Sequence, residues 1–178
     1  FLGPYFLGIY GYLMLYQQYL TYTNIGINYS VNSELAILQH KGGDEQKRII
    51  NSAFSGIVII SLFLIAVSVA LYSLKIQLLP FPNSYKYIFI IIALTIITHF
   101  QQAFVNVFRI NKNLKPIIIG ELLLSASLLV VAVTFKGIAL INAIFYTWAL
   151  LLLIIVIFYR IIYNSKIAFE TARIKLLL

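Results

Sequence analysis

The sequence predicts an all-α membrane protein, an up-and-down bundle of about five transmembrane helices. Three observations carry that reading. Apolar residues make up 62% of the 178 residues and charged residues only 10%, against roughly 45–50% and about 25% in a soluble domain. Charge-free runs recur that are long enough to cross hydrocarbon, which takes roughly 20 helical residues. Those runs are continuously apolar and lack the two-residue alternation of a membrane strand.

The first span covers 8–38. It holds no charge before Glu34 but is sprinkled with Gln, Asn, Thr and Tyr, so it reads as wetter than the others and as lining something polar. Tyr5, Tyr10, Tyr12 and Tyr16 at its start fit an interfacial aromatic belt. The second span, 49–74, lies between Arg48 and Lys75, and its Ser52 and Gly56 have the small-xxx-small spacing that lets helices approach closely. The third, 87–108, lies between Lys86 and Arg109. The fourth, 116–135, opens on Pro116, which suits a first helical turn, and carries a single charge, Glu121. The fifth, 137–159, runs from Lys136 to Arg160 and holds Trp148 and Tyr146, packing or interface residues. The links are 39–47 with Gly42 and Gly43, 75–86 with Pro80 and Pro82, 111–115, and a tight turn at Lys136 and Gly137. Links this short impose antiparallel neighbours, so 1–163 form the bundle and 164–178 a basic segment beyond it.

Orientation follows from Lys and Arg at alternate ends. Lys41, Lys47, Arg48, Arg109, Lys112, Lys115, Arg160, Lys166, Arg173 and Lys175 collect on one side; Lys75, Lys86 and Lys136 lie on the other. The Gly42 loop, the Lys112 loop and the C-terminal segment are therefore expected in the cytoplasm, with Phe1 outside. The +8 net charge is thereby absorbed by membrane topology rather than by nucleic acid. A start at Phe1 with no signal-peptide pattern leads us to expect a further span before this segment, and an end that turns apolar at Leu176 reads as equally abrupt.

Within the third span, Thr95, His99, Gln102, Asn106 and Arg109 step by four, three, four and three and so share one helix face. Ionisable side chains at membrane depth point into a bundle or a wet cavity, because lipid cannot satisfy their hydrogen bonds. The stripe reads either as one wall of a polar pathway, with His99 near mid-span able to titrate near neutral pH, or as hydrogen-bonded glue between helices. Gln17, Thr21, Asn24, Asn28 and Asn32 repeat the pattern in the first span. Carboxamides both donate and accept, which suits hydroxylated ligands without selecting charge. Arg109 and Glu121 flank one turn and are expected near the same membrane face, as a salt bridge; Arg109 alternatively meets a phosphate, since its planar fork matches phosphate oxygens.

Catalysis is not expected. Asp44, Glu45 and His40 share a charged loop while His99 is deep in a span, so no paired acids, His cluster or activated nucleophile comes within mutual reach. With no cysteine, disulfides and thiolate metal sites are excluded and the redox compartment stays open. No metal-ligand spacing, P-loop or dinucleotide fingerprint is present, so neither a metal nor a cofactor is expected.

Leu2-Gly3-Pro4 followed by Gly8-Ile9-Tyr10 resembles the LGP and Y/F-G-I/L-Y turn after the first span of bacterial polysaccharide flippases, the O-antigen and exopolysaccharide branch of the multidrug/oligosaccharidyl-lipid/polysaccharide exporter superfamily. Asn24-Ile25-Gly26-Ile27, then Asn28-Tyr29-Ser30-Val31, then Glu34-Leu35-Ala36 is similar to that family's second span, and the charged loop with Asn51-Ser52-Ala53 is similar to the start of its third. The likeness covers essentially the whole chain, as second to sixth spans. It implies part of the N-terminal lobe of a two-lobed transporter that flips undecaprenyl-diphosphate-linked oligosaccharide across the bacterial plasma membrane by alternating access. The implied partners are membrane lipids, the C-terminal lobe, and polysaccharide polymerase and chain-length machinery. Asn24 stands where the family usually has Asp and Ser33 where an Arg often precedes the Glu; His99 and Arg109 are candidates to supply the missing positive charge. A multidrug cation exporter of the same superfamily, or a membrane enzyme of envelope glycan assembly, are the alternatives; the first would need a buried acid in the outer half, the second long external loops.

Overall fold

The computed structural model describes residues 3–24, 26–38, 43–76, 84–163 and 167. His40, the Gly42 turn, Pro80, Pro82 and nearly all of the basic C-terminal segment lie outside those residues.

Six α-helices account for almost all of the described chain: α1 (Pro4–Thr21), α2 (Ile27–Ile37), α3 (Gly43–Ser73), α4 (Ile88–Ile110), α5 (Lys115–Thr134) and α6 (Gly137–Tyr163). Four of them, α3 to α6, are long and apolar enough to cross a membrane. Each contains its charge-free run, but α3 begins well before Arg48, and α4 and α6 carry Arg109 and Arg160 inside their last turns; other ends are set by backbone turns. Lys75 and Lys112 adopt left-handed backbone, with φ of 50° and 54°. The next amide in each case reaches back to a carbonyl five residues earlier, Ile76 to Leu71 at 3.1 Å and Asn113 to Phe108 at 2.9 Å. This is the Schellman closure, which satisfies carbonyls that the helix itself leaves without partners.

The expected first span is the exception. It is not one helix: α1 passes through a short 3-10 turn at Tyr22–Asn24, and Gly26, at φ 77°, turns the chain into α2. Glycine enters that left-handed region at little steric cost. The expected single stripe from Gln17 to Asn32 is therefore split, since helical spacing does not carry across the break.

Contacts fix the directions. Tyr87 donates to Asn142 at 3.0 Å and Phe104 meets Tyr159 with ring centroids 6.4 Å apart, so α4 and α6 run parallel. Phe54 against Phe104 at 4.8 Å and Tyr72 against Phe89 at 4.9 Å make α3 antiparallel to α4. Phe6 lies against Gly137 while His99 reaches Thr21, so α1 runs parallel to both α4 and α6. α4 is the central helix, packed by α1, α2, α3 and α6.

Lipid offers no hydrophobic drive between helices, so close packing and hydrogen bonds must hold the bundle. Gly56 accepts Ile27: a Cβ there would stand 2.8 Å from Ile27 Cδ1, and neighbouring Ser52 is fully buried, which is the close approach the small-residue spacing predicts. Gly120 does the same for Tyr159 on α6. The outward surface is oily, with Phe63 and Val69 on α3, Leu122, Leu129 and Val133 on α5, and Leu150 and Ile154 on α6 all exposed. A soluble monomer rarely shows so continuous an apolar surface; with the four long helices, it describes a multi-pass membrane protein. Of the expected tyrosine belt, Tyr5 and Tyr12 are exposed, whereas Tyr10 packs against Phe145.

Candidate functional site

The break between α1 and α2 falls at mid-depth. His99 is the middle residue of α4, and its Nε2 lies 3.2 Å from the Thr21 carbonyl at the end of α1. Non-helical backbone at that depth is tolerated where protein buries it or where it lines a water-filled space. Both apply here. Asn24 Oδ1 accepts the Gly26 N–H at 3.0 Å, closing an Asx turn that shapes the break. His99 serves the helix end behind it.

In front of the break is a cavity of about 570 Å³. Its walls are Asn24, Gly26, Asn28 and Asn32 from the broken span, Gln101, Gln102, Asn106 and Arg109 from α4, and Glu121 from α5, with Tyr22 and Tyr29 at its edge. Both tyrosines are strongly exposed, at 77% and 82%. The cavity runs from the break toward Arg109 in the last turn of α4, hence toward the basic end of the bundle.

Side-chain hydrogen bonds hold the wall in shape. Asn28 Nδ2 donates to Gln102 Oε1 at 3.1 Å, and Asn106 Nδ2 donates to the Asn28 backbone carbonyl at 2.8 Å. Gln101 Nε2 donates to Glu121 Oε1 at 3.1 Å. Asn28 is 7% exposed, and its Oδ1 has no hydrogen-bond partner. A buried carbonyl oxygen left bare costs on the order of 1–3 kcal/mol, so it is a standing acceptor for any donor that enters. The remaining carboxamide groups offer donors and acceptors interleaved, around one cation and one anion.

Of the eleven residues that the two stripes and Glu121 supply, seven, Asn24, Asn28, Asn32, Gln102, Asn106, Arg109 and Glu121, therefore meet at one cavity, and Gln17 and Thr21 stand apart from it. Thr95 and His99 do not line it. Both are fully buried: Thr95 Oγ1 donates to the Ile91 carbonyl at 2.9 Å, and His99 Nε2 bonds Thr21 while its Nδ1 is buried without a partner. At the N-terminal half of the α4 stripe His99 thus ties α4 to α1 while Thr95 is used within α4 itself, and the C-terminal half is wall beside the break.

The expected salt bridge is replaced. Among the described residues Arg109 and Glu121 form no ion pair, and Gln101 takes the carboxylate. Both charged side chains remain exposed in the cavity. Gln101 was missed because the four-three stepping selects Gln102 and passes over its neighbour, which faces α5. Tyr22 and Tyr29 were missed because each reads as one more tyrosine in a tyrosine-rich span; their closeness to the Asn24-Ile25-Gly26 turn was the available signal.

Among the described residues no group of three His, Cys, Asp or Glu side chains is placed to hold a metal ion. No protein family, curated protein or solved structure matches the chain.

Proposed function

We propose that the chain is part of the N-terminal lobe of a flippase that moves undecaprenyl-diphosphate-linked oligosaccharide across the bacterial plasma membrane, with its basic ends in the cytoplasm. One observation carries the reading: a membrane span broken at mid-depth, with the break forming one wall of a cavity rich in carboxamides. Discontinuous helices at the midplane are where transporters build substrate sites. Interleaved amide donors and acceptors match sugar hydroxyls, and exposed Tyr22 and Tyr29 offer ring faces at the edge. With Arg109 and Glu121 the cavity is balanced in charge, which suits a hydroxylated headgroup better than the organic cation of a drug exporter. The polyprenyl chain stays in lipid while the headgroup crosses in the groove between this lobe and the second one that the resemblance implies. The protein lowers the desolvation barrier and makes no covalent bond.

The test uses the full-length protein in proteoliposomes loaded with a lipid-linked oligosaccharide bearing a fluorescent sugar. Asn28→Leu keeps the volume but removes the buried acceptor and the bond to Gln102. Flipping is expected to fall by tenfold or more, about 1.4 kcal/mol in the barrier, with the protein still folded. Undiminished flipping in a folded Asn28→Leu protein removes the cavity from the mechanism.

A further inference from the structure

A second cavity, of about 480 Å³, lies on the other side of α4, where α3 and α6 flank it. Its walls are Phe54 and Val58 of α3, Phe100 and Phe104 of α4, and Val156 and Ile157 of α6, and Arg160 stands at its end. We propose that this groove is a phospholipid site: one acyl chain lies in the apolar cleft and an anionic headgroup is held by Arg160. The proposal is independent of what the amide-lined cavity carries.

The walls select the chain. Ser55 is the polar side chain among them besides Arg160, and its Oγ donates to the Asn51 carbonyl at 2.8 Å, so the hydroxyl hydrogen is already used. Water needs two to four polar partners to settle in a cavity, and this lining does not provide them. A hydrocarbon chain needs only contact, and Phe54, packed on Phe100 and Phe104 with centroids 6.1 and 4.8 Å away, gives it a firm aromatic floor. The volume falls within the roughly 300–1,000 Å³ typical of small-molecule sites. Ile157 at the rim is half exposed, so a chain enters sideways from the bilayer.

Arg160 selects the headgroup. It sits in the last turn of α6, is exposed, and makes no ion pair among the described residues. Arg48 at the start of α3 and Arg109 at the end of α4 lie at the same end of the bundle, which places Arg160 at a membrane face rather than at mid-depth. Phe54 and Val58 then extend inward from Arg48 by about two to three turns of α3. Charge at the interface with oil beneath it is the polarity of an anionic lipid in that leaflet, and the guanidinium fork matches phosphate oxygens.

The experiment exploits the single tryptophan of the chain. The full-length protein, with Trp148 and any tryptophan outside this chain changed to Phe and with Ile161→Trp as a reporter at the strongly exposed rim of the groove, is placed in nanodiscs of mixed phosphatidylglycerol and phosphatidylcholine, with bromine on the chains of one lipid at a time. Bromine on phosphatidylglycerol is expected to quench as though that lipid were enriched about fivefold, the Boltzmann factor for the about 1 kcal/mol that one basic side chain contributes at a surface. Arg160→Gln should abolish the enrichment and Arg160→Lys should keep part of it. A reporter at exposed Ile119 on α5, away from the groove, should show none. Equal quenching by the two lipids at Ile161→Trp overturns the site, as does enrichment that survives Arg160→Gln or appears equally at Ile119. Displacement of brominated phosphatidylglycerol by substoichiometric undecaprenyl phosphate also overturns it, and assigns the groove to a polyprenyl chain.

Discussion

The imidazole of His99 donates Nε2–H to the backbone carbonyl of Thr21 across 3.2 Å, joining the middle of α4 to the last residue of α1. A carbonyl only accepts, so the bond fixes the Nε2–H tautomer. Thr21 belongs to the set of terminal carbonyls that a helix cannot serve by itself, and at mid-membrane water is a poor substitute. His99→Phe should therefore destabilise the protein by about 1–3 kcal/mol through the unserved carbonyl, and His99→Gln, which still offers an N–H, by less. Thermal unfolding of the detergent-solubilised protein separates the two; equal midpoints for His99→Phe and the parent chain would show that the bond contributes nothing.

Gly120 and Tyr159 make a second, opposite case, in which space rather than bonding decides. A Cβ on residue 120 would stand 2.5 Å from Tyr159 Oη and 3.1 Å from Ile155 Cγ2. Gly120→Ala should cost about 1–3 kcal/mol by overpacking. The Tyr159 hydroxyl is buried without a hydrogen-bond partner, so Tyr159→Phe alone should be neutral or stabilising. The double variant should recover much of what Gly120→Ala loses. Unfolding midpoints of the four proteins form a cycle, and strict additivity in it would contradict the contact.

Those two contacts also mark what the sequence could reveal. The four long helices were legible because oil and charge alternate along the chain in blocks set by bilayer thickness, and Lys75, Lys112 and Pro116 punctuate the blocks. The amide-lined wall was legible in part, because Gln102, Asn106 and Arg109 keep helical register on an unbroken helix. The break was not. Absence of charge from 8 to 33 reads as continuity, while a reversal of φ at Gly26 leaves no trace in hydropathy. Nor was the division of labour along α4, since His99 and Asn106 share one face and are set apart by what lies opposite them, Thr21 of α1 for the one and Asn28 of α2 for the other. The tie between Gln101 and Glu121 was hidden for a simpler reason: opposite charges at a turn invite the pairing of Arg109 with Glu121, and neutral Gln101 is nearer.

Gly26 tests the break itself. Its φ is 77°, and a Cβ there would meet nothing within 4 Å. Substitution therefore reports backbone strain without steric contact. Gly26→Ala should cost about 1–2 kcal/mol, the usual penalty for an L-residue in the left-handed region. Gly26→Asn should cost less, because asparagine visits that region more readily. The measurement is chemical or thermal unfolding of both variants beside the parent. An alanine variant as stable as the parent would mean that the turn relaxes into a continuous helix, which an altered hydrogen-exchange pattern over α1 and α2 would register.

The cavity makes a claim about water, and the absence of cysteine from the chain allows it to be checked one position at a time. Only the thiolate reacts with maleimides, and a thiol in an apolar setting stays protonated. Asn32 is exposed and lines the cavity, Leu122 is exposed on the oily surface of α5, and Thr95 is fully buried. In lipid-embedded protein, Asn32→Cys should react with a membrane-impermeant maleimide on the order of tenfold faster than Leu122→Cys or Thr95→Cys. The comparison with Leu122 is the decisive one, because exposure to a solvent probe is high at both sites and only the surroundings differ. Fast reaction at Asn32 places water beside the broken span at membrane depth. Equal, slow reaction at Asn32 and Leu122 would place lipid there instead, and a face made of Asn24, Asn28 and Asn32 would then need a second protein surface against it.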